Sequence, residues 1–340
     1  MLRKMMKTAI AVSLLGVMFS ATAQRTPVRV YSALEADQVK AYKEAAEKAI
    51  PDVEVQFVRD STGVMTSKLI AEKANPQADM VWGLAATSLM VLEADGLLQG
   101  YSPKGVEKLN PRFVDSKKPT EWVGMDVWAA TICFNTVEAA KRNIPKPETW
   151  KDLTKPIYKG QITMPHPASS GTGFLDVTGW LQTFGEAEGW KYMDALHENV
   201  AQYVHSGSKP CRQAGAGEFV IGISFEYRAN ATKASGAPVD LIFPKEGLGW
   251  DMEAAAILKG TKKLDAVKKV MDFAVTKEAN ELYAKSYAIT AYPGTAKPLP
   301  NVPANFETML VKNDFQWAAK NRDRILAEWS KRYNAKAEKQ

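Results

Sequence analysis

Histidine and cysteine are scarce in this chain, at three and two residues out of 340. His166, His197 and His205 have no cysteine or carboxylate partner at useful spacing, and two dispersed cysteines do not make a structural zinc site. No Gly-x-Ser-x-Gly nucleophile elbow is present, and no glycine-rich loop ends in Gly-Lys-Ser/Thr. The chain therefore reads as a protein that is not an enzyme and carries no cofactor. Basic residues are scattered rather than massed. Lys262-Lys263 and Lys268-Lys269 lie on solvated helix faces, which leaves no stripe for nucleic acid. There is no internal repeat and no low-complexity linker, and beyond the N-terminus no apolar run approaches membrane-spanning length.

The N-terminus is an address label. Arg3, Lys4 and Lys7 precede an apolar run from Thr8 to Phe19, and Ala21-Thr22-Ala23 matches a small-x-small cleavage site. Residues 1–23 are expected to be a signal peptide that directs export to the periplasm. No cysteine follows the cleavage site, which argues against a lipid anchor. Loss of the leader takes the formal charge from +6 to +3. In an oxidising compartment a disulfide between Cys133 and Cys211 is permitted, and the sequence leaves its formation open. About 317 mature residues exceed the usual size of one core, so two domains are expected.

The first third alternates strand and helix. Val28–Tyr31, Val53–Val58 and Asp79–Trp82 each lead into a helix, at about 36–49, 64–74 and 88–94. This predicts an α/β fold with a parallel sheet between helices. Val127–Phe134 is a long strand or strand pair and a natural crossover. Strands before Ser169 and at Phe219–Phe225 and Val239–Phe243 form a second set, followed by Ala254–Leu258 and helices at 264–275 and 279–284. Residues Phe306 to Tyr333 are read as a helical tail.

Ligands of open parallel sheets sit beyond the carboxyl ends of the strands. Ser32, Ala33 and Glu35 follow the first strand, Ser61 and Thr62 the second, Ala85 the third, and Glu226-Tyr227 a strand of the second half. The richest turn is Pro167-Ala168-Ser169-Ser170-Gly171-Thr172-Gly173, a passage from strand to helix. Its hydroxyls and glycines offer unpaired N–H groups at a positive helix end, a seat for a tetrahedral oxyanion. The competing reading is a loop that caps its own helix through Thr172 or Ser170. Asp60-Ser61-Thr62-Gly63 offers a second such start, with plain N-capping as its alternative. Candidate partners for a cation are Glu35, Asp60, Glu226 and Asp251; Tyr31, Trp82, Tyr101, Tyr227 and Trp250 are candidate aromatic walls, with ordinary core packing the favoured alternative for each taken singly. The alternative for Glu226 is a rim salt bridge to Arg228. His166, beside the glycine turn, is the one histidine that is a candidate ligand contact, with a plain turn residue as its favoured alternative.

Together Val30-Tyr31-Ser32-Ala33, Asp79-Met80-Val81-Trp82, Tyr158-Lys159-Gly160-Gln161-Ile162, Ser169–Gly173 and Ala256-Ile257-Leu258-Lys259-Gly260 make the chain resemble the periplasmic solute-binding proteins of ABC transporters. It is most similar to the branch that binds ferric iron, thiamine, polyamines and aminoethylphosphonate. The resemblance implies a type II two-lobe fold with a cleft between the lobes and two hinge crossovers. Residues 24–125 plus 246–295 would form one lobe, 126–245 the other, and 296–340 helices packed on them. It also implies a monomer that delivers its solute to an inner-membrane permease. A signalling role, with the closed form docking on a sensor, is a further possibility the sequence leaves open.

Iron binders of this branch carry an adjacent tyrosine pair and a glutamate after the third strand. Here Phe225-Glu226-Tyr227 has one tyrosine, and Leu84 stands where the carboxylate belongs. The Ser-Ser-Gly-Thr-Gly turn, and Cys211-Arg212-Gln213 leading to Gly217-Glu218-Phe219, instead resemble 2-aminoethylphosphonate binders. The expected ligand set is Ser32, Ala33, Glu35, Ser61, Thr62, Ala85, Ser169, Ser170, Gly171, Thr172, Glu226 and Tyr227, with no metal. The expected solute is a small aminophosphonate, and ferric iron, polyamine or thiamine is the alternative.

Overall fold

The computed structural model describes residues 24–339; the expected signal peptide lies outside them. The strands are β1 (Thr26–Ser32), β2 (Val53–Arg59), β3 (Met80–Ala85), β4 (Leu98–Gln99), β5 (Val123–Asn135), β6 (Ile162–Pro165), β7 (Val200–Val204), β8 (Ile221–Phe225), β9 (Val239–Ile242) and β10 (Trp250–Leu258). The helices are α1 (Ala36–Ala49), α2 (Thr62–Ala71), α3 (Ala86–Ala94), α4 (Thr136–Arg142), α5 (Gly171–Phe184), α6 (Glu186–Asn199), α7 (Lys209–Gly215), α8 (Glu226–Ala234), α9 (Leu264–Ala274), α10 (Lys277–Tyr283), α11 (Phe315–Lys320) and α12 (Arg322–Tyr333). The α/β class and the two-lobe architecture agree with the sequence reading.

Strand order runs β2-β1-β3-β10-β5-β8-β6-β7, with β4 against β10 and β9 against β5. β1 is parallel to β2 and β3, but β10 is antiparallel to both β3 and β5, so the sheet is mixed rather than parallel. An incoming strand that returns from the other lobe enters from the opposite end, which is why the expected parallel order breaks here. β5 is one continuous strand, buried along its whole length. Its first stretch, Val123–Ala129, pairs with β10; its second, Ala130–Phe134, pairs with β8. The division expected between residues 125 and 126 falls inside the first stretch. β5 therefore belongs to both lobes, and the segment between β9 and β10 is the second crossing.

In the first lobe Val28, Val30, Val53 and Val55 alternate inward to meet α1, α9 and α10 around Trp82, Tyr42 and Tyr283. The other face packs under α2 and α3. In the second lobe Trp150, Trp180, Tyr192, Tyr203 and Trp329 form the core. The tail is not one helix: a single 3-10 turn at Phe306–Met309 precedes an extended stretch, and only then α11 and α12 follow. The polar run Lys312-Asn313-Asp314 interrupts the helical pattern, and Asp314 caps the new start by accepting the Trp317 N–H. The extended part is pinned by Leu248, Trp250 and Gln182. Cys133 of β5 and Cys211 of α7 form a disulfide across 78 residues, which closes the question left by the sequence.

Candidate functional site

Two helix starts face each other across the cleft. Ser61 precedes α2 with extended backbone, and its side chain makes no cap; Asp60 Oδ1 accepts the Ser61 N–H at 2.7 Å instead. The plain N-capping alternative therefore does not describe Ser61. Ser170 precedes α5 and does accept a long bond, 3.4 Å, from the Gly173 N–H, so capping and ligand reading coexist there. Glycine is required at both contacts. A Cβ on Gly63 would lie 2.0 Å from the Ala168 carbonyl oxygen, and one on Gly171 2.7 Å from Thr62 Oγ1.

The lobes touch directly. The Gly63 N–H donates to the Ser169 carbonyl at 2.9 Å. Glu35, at the head of α1, accepts from Arg228 at 2.7 Å, from Arg212 at 3.3 Å and from the Ser208 hydroxyl, all on the second lobe. Arg59 approaches the same carboxylate at 4.0 Å. His205 Nε2 lies 3.0 Å from Asp60 Oδ1, and the Tyr227 hydroxyl donates to Asp37.

Between these contacts is a cavity of about 40 Å³ lined by Ala33, Glu35, Gln38, Arg59, Ser61, Thr62, Trp128, Ser170, Gly171, Thr172, Ser206–Ser208, Phe225, Glu253 and Tyr287. Larger grooves of about 880 and 830 Å³ open elsewhere, one beside Trp122, Trp250 and Trp317, the other beside the C-terminal residues. The smaller space is the candidate site, because among the described residues two helix starts, their hydroxyls and Arg59 converge there.

Seven of the twelve expected residues line it: Ala33, Glu35, Ser61, Thr62, Ser170, Gly171 and Thr172. The other five are placed differently. Ser32 is buried and donates to the Trp82 carbonyl, because the strand runs one residue further than expected. Ala85 is the last residue of β3 and packs in the core. Ser169 faces outward, its hydroxyl on the His205 carbonyl. Tyr227 spans the rim to Asp37.

Glu226 is fully buried and accepts the Ala129 N–H at 2.8 Å. Its expected partner Arg228 turns to Glu35 instead, and burial pushes Glu226 up to about 8. As counter-charges for a cation, Glu35 and Asp60 are already engaged. Burial alone would raise Asp60, but hydrogen bonds from His205 and the Ser61 N–H hold it below its ordinary value. Asp251 accepts from Thr87, and burial still lifts it to about 6.

The expected aromatic walls are elsewhere too. Tyr31 bonds Glu72, Tyr101 bonds Asp272, Trp82 is core and Trp250 bonds the Val311 carbonyl. Trp128, Phe225 and Tyr287 take that place, and the Trp128 Nε1 is buried without a partner. His166 is a turn residue: its Nδ1 accepts the Ala168 N–H, and its ring packs on Trp329. The residues that sequence reasoning passed over include Arg59, Ser206–Ser208 and Glu253. The one available signal was the acid pair Asp251 and Glu253 inside an otherwise apolar strand. Among the described residues no group of three acidic, histidine or cysteine side chains is arranged for a metal ion, and no helix is long and apolar enough to cross a membrane.

The whole fold is shared with known proteins. It superposes on the periplasmic binding protein AfuA of Actinobacillus pleuropneumoniae, solved with exogenous fructose-6-phosphate bound, with a TM-score of 0.85 and 30% identity, covering 92% of this chain and 99% of that one. An uncharacterized protein of Haemophilus influenzae is 32% identical over 286 residues, 82% of each chain. A probable ABC transporter periplasmic-binding protein, y4fP of Sinorhizobium fredii, is 26% identical over 293 residues, 78% of each. Residues 75–322, well over half the chain, match the bacterial extracellular solute-binding protein family. The chain belongs to that family, as a solute-binding component of an ABC importer and not an enzyme.

Proposed function

We propose that this protein captures a small solute with a phosphonate or phosphate head, 2-aminoethylphosphonate or a close aminophosphonate in the first instance, and presents it to its permease. The observation that carries this reading is the meeting of the α2 and α5 starts, with the hydroxyls of Ser61, Thr62, Ser170 and Thr172 around one cavity. A helix start supplies N–H donors and a partial positive charge, which suits a tetrahedral oxyanion. Arg59, Arg212 and Arg228 outnumber Glu35 at the rim, which keeps the local field favourable to an anion. The cavity holds roughly three water molecules at about 10–15 Å³ each, so the closed form favours a compact solute.

Solute contacts from both lobes exist only when the cleft is shut, so binding draws the open–closed equilibrium toward closed. A second reading, a sugar phosphate, is supported by the similarity to the fructose-6-phosphate complex of AfuA. Both readings share the same head chemistry. The test is a thermal-shift screen of the mature protein followed by calorimetry with 2-aminoethylphosphonate, methylphosphonate, phosphate, fructose-6-phosphate, putrescine, thiamine and ferric citrate. Tight binding of a phosphonate or phosphate ester is expected. Binding of only putrescine, thiamine or ferric citrate would overturn the proposal.

A further inference from the structure

Glu253 of β10 stands opposite Asp126 of β5 in the ladder, which brings the two side chains to one face, with Cβ atoms about 5 Å apart. Glu226 joins them from the start of α8, its Oε2 on the Ala129 N–H. Asp126 and Glu226 are wholly buried, and Glu253 is 6% exposed. Both oxygens of Asp126, Oε1 of Glu226 and Oε2 of Glu253 have no hydrogen-bond partner. Among the described residues no lysine, arginine or histidine pairs with any of the three. Glu253 is the member that lines the cleft cavity.

The site is therefore polarised. Its rim carries helix starts and arginines, and its floor carries an unpartnered carboxyl backed by two more. A buried polar atom left unpaired costs free energy unless a donor meets it, and a carboxylate is best met by a cation with several N–H groups. On the reading that an oxyanion head sits at the helix starts, we infer that the solute carries an ammonium group at its other end, and that Glu253 is the residue that receives it. A simple alkyl phosphonate leaves this carboxyl unanswered, and a sugar phosphate would meet it only with neutral hydroxyls.

The groups facing Glu253 are Asp126 and Glu226 below, Asp251 two residues before it, Glu35 with its arginines and Arg59 at the rim, and Tyr42 and Tyr287 alongside. Burial first, then repulsion from Asp251, Glu35 and Glu226, pushes Glu253 up to about 8. An arriving ammonium favours the ionised carboxylate, so docking at neutral pH expels a proton from Glu253 to solvent.

The test is calorimetry of the intact mature protein with 2-aminoethylphosphonate and with propylphosphonate, which has the same head and a methyl in place of the ammonium. The wild type is expected to prefer the amine by roughly 10- to 100-fold. Glu253→Gln is expected to erase most of that preference, bringing the two phosphonates to within a few-fold of each other. Titration in two buffers of different ionisation enthalpy is expected to reveal a proton released by the wild type and not by the variant. The wild-type comparison stands on its own should the variant not fold. Equal binding of both phosphonates, or tight binding of fructose-6-phosphate with neither phosphonate bound, would overturn the role of Glu253 and leave the oxyanion site standing. Failure of every phosphonate and phosphate to bind would overturn the oxyanion reading itself.

Discussion

Glu35 and Arg228 meet across the cleft at 2.7 Å, the carboxylate at the head of α1 and the guanidinium in the first turn of α8, each side chain only about a tenth exposed. The pair exists only while the lobes are together, so it belongs to the closed form. Glu35→Gln is expected to shift the ligand-free protein toward the open form, seen as a larger radius of gyration in small-angle X-ray scattering. Scattering identical to the wild type would show that the pair does not hold the lobes.

Gly63 gives a steric test of closure. Gly63→Ala places a methyl 2.0 Å from the Ala168 carbonyl oxygen of the other lobe, and the open form has no such clash. Overpacking of this kind costs about 1–3 kcal/mol, so solute affinity is expected to fall roughly 5- to 150-fold. The melting temperature of the free protein should stay near that of the wild type. Unchanged affinity would mean that closure does not bring α2 onto the Ala168–Ser169 turn.

The hydroxyls of the oxyanion seat are tested one at a time. Ser61→Ala and Thr172→Ala each remove one donor and are expected to weaken phosphonate binding by about 1–3 kcal/mol, read by calorimetry. Ser170→Ala also loses the bond from the Gly173 N–H, so its effect should appear in the melting temperature as well. Normal binding by both Ser61→Ala and Thr172→Ala would move the seat elsewhere.

The disulfide closes a loop of 78 residues and anchors α7, whose neighbourhood supplies Ser208 and Arg212 to Glu35. Loss of such a bridge costs about 2–5 kcal/mol. Cys133→Ala with Cys211→Ala is expected to lower the melting temperature by roughly 5–15 °C. The same melt in the wild type with and without reductant checks the result, and coincident curves would refute it.

Burial raises both Glu226 and Glu253 from an ordinary 4.5 to about 8. The folded protein then holds protons that the unfolded chain releases. The resulting stability is complete below 4.5, declines as pH rises and is gone above about 8. Thermal melts of the free protein between about pH 5 and 8.5 should show this decline, and Glu253→Gln should flatten it. An equal slope in wild type and variant would contradict the assignment.

The βα alternation of the first lobe was legible because β1 and β2 bury alternate valines, β3 is apolar throughout, and each helix follows within a few residues. The two helix starts of the proposed oxyanion seat were legible for a similar reason, since Ser61-Thr62 and Ser170-Gly171-Thr172 announce themselves as hydroxyl-rich. Charge pairing was not legible. Glu35 is met by Arg212 and Arg228, more than 170 residues away in sequence, and nothing local to either predicts the meeting. Glu253 was harder to read for a related reason: the acid pair Asp251 and Glu253 breaks an apolar strand, but nothing local shows that β10 sets Glu253 opposite Asp126.

The place of β10 between β3 and β5 governs the order in which the chain assembles. β5 through β9 emerge consecutively, so the second lobe can complete its sheet from neighbouring segments. The first lobe cannot. β1, β2 and β3 emerge early, yet the strand that joins them to β5 arrives more than 160 residues after β3. Until then β3 presents a raw, wholly apolar edge, the kind of surface that recruits other chains. The nascent protein is thus most exposed to aggregation between the emergence of β3 and that of β10, and a holding chaperone would best serve it by covering β3.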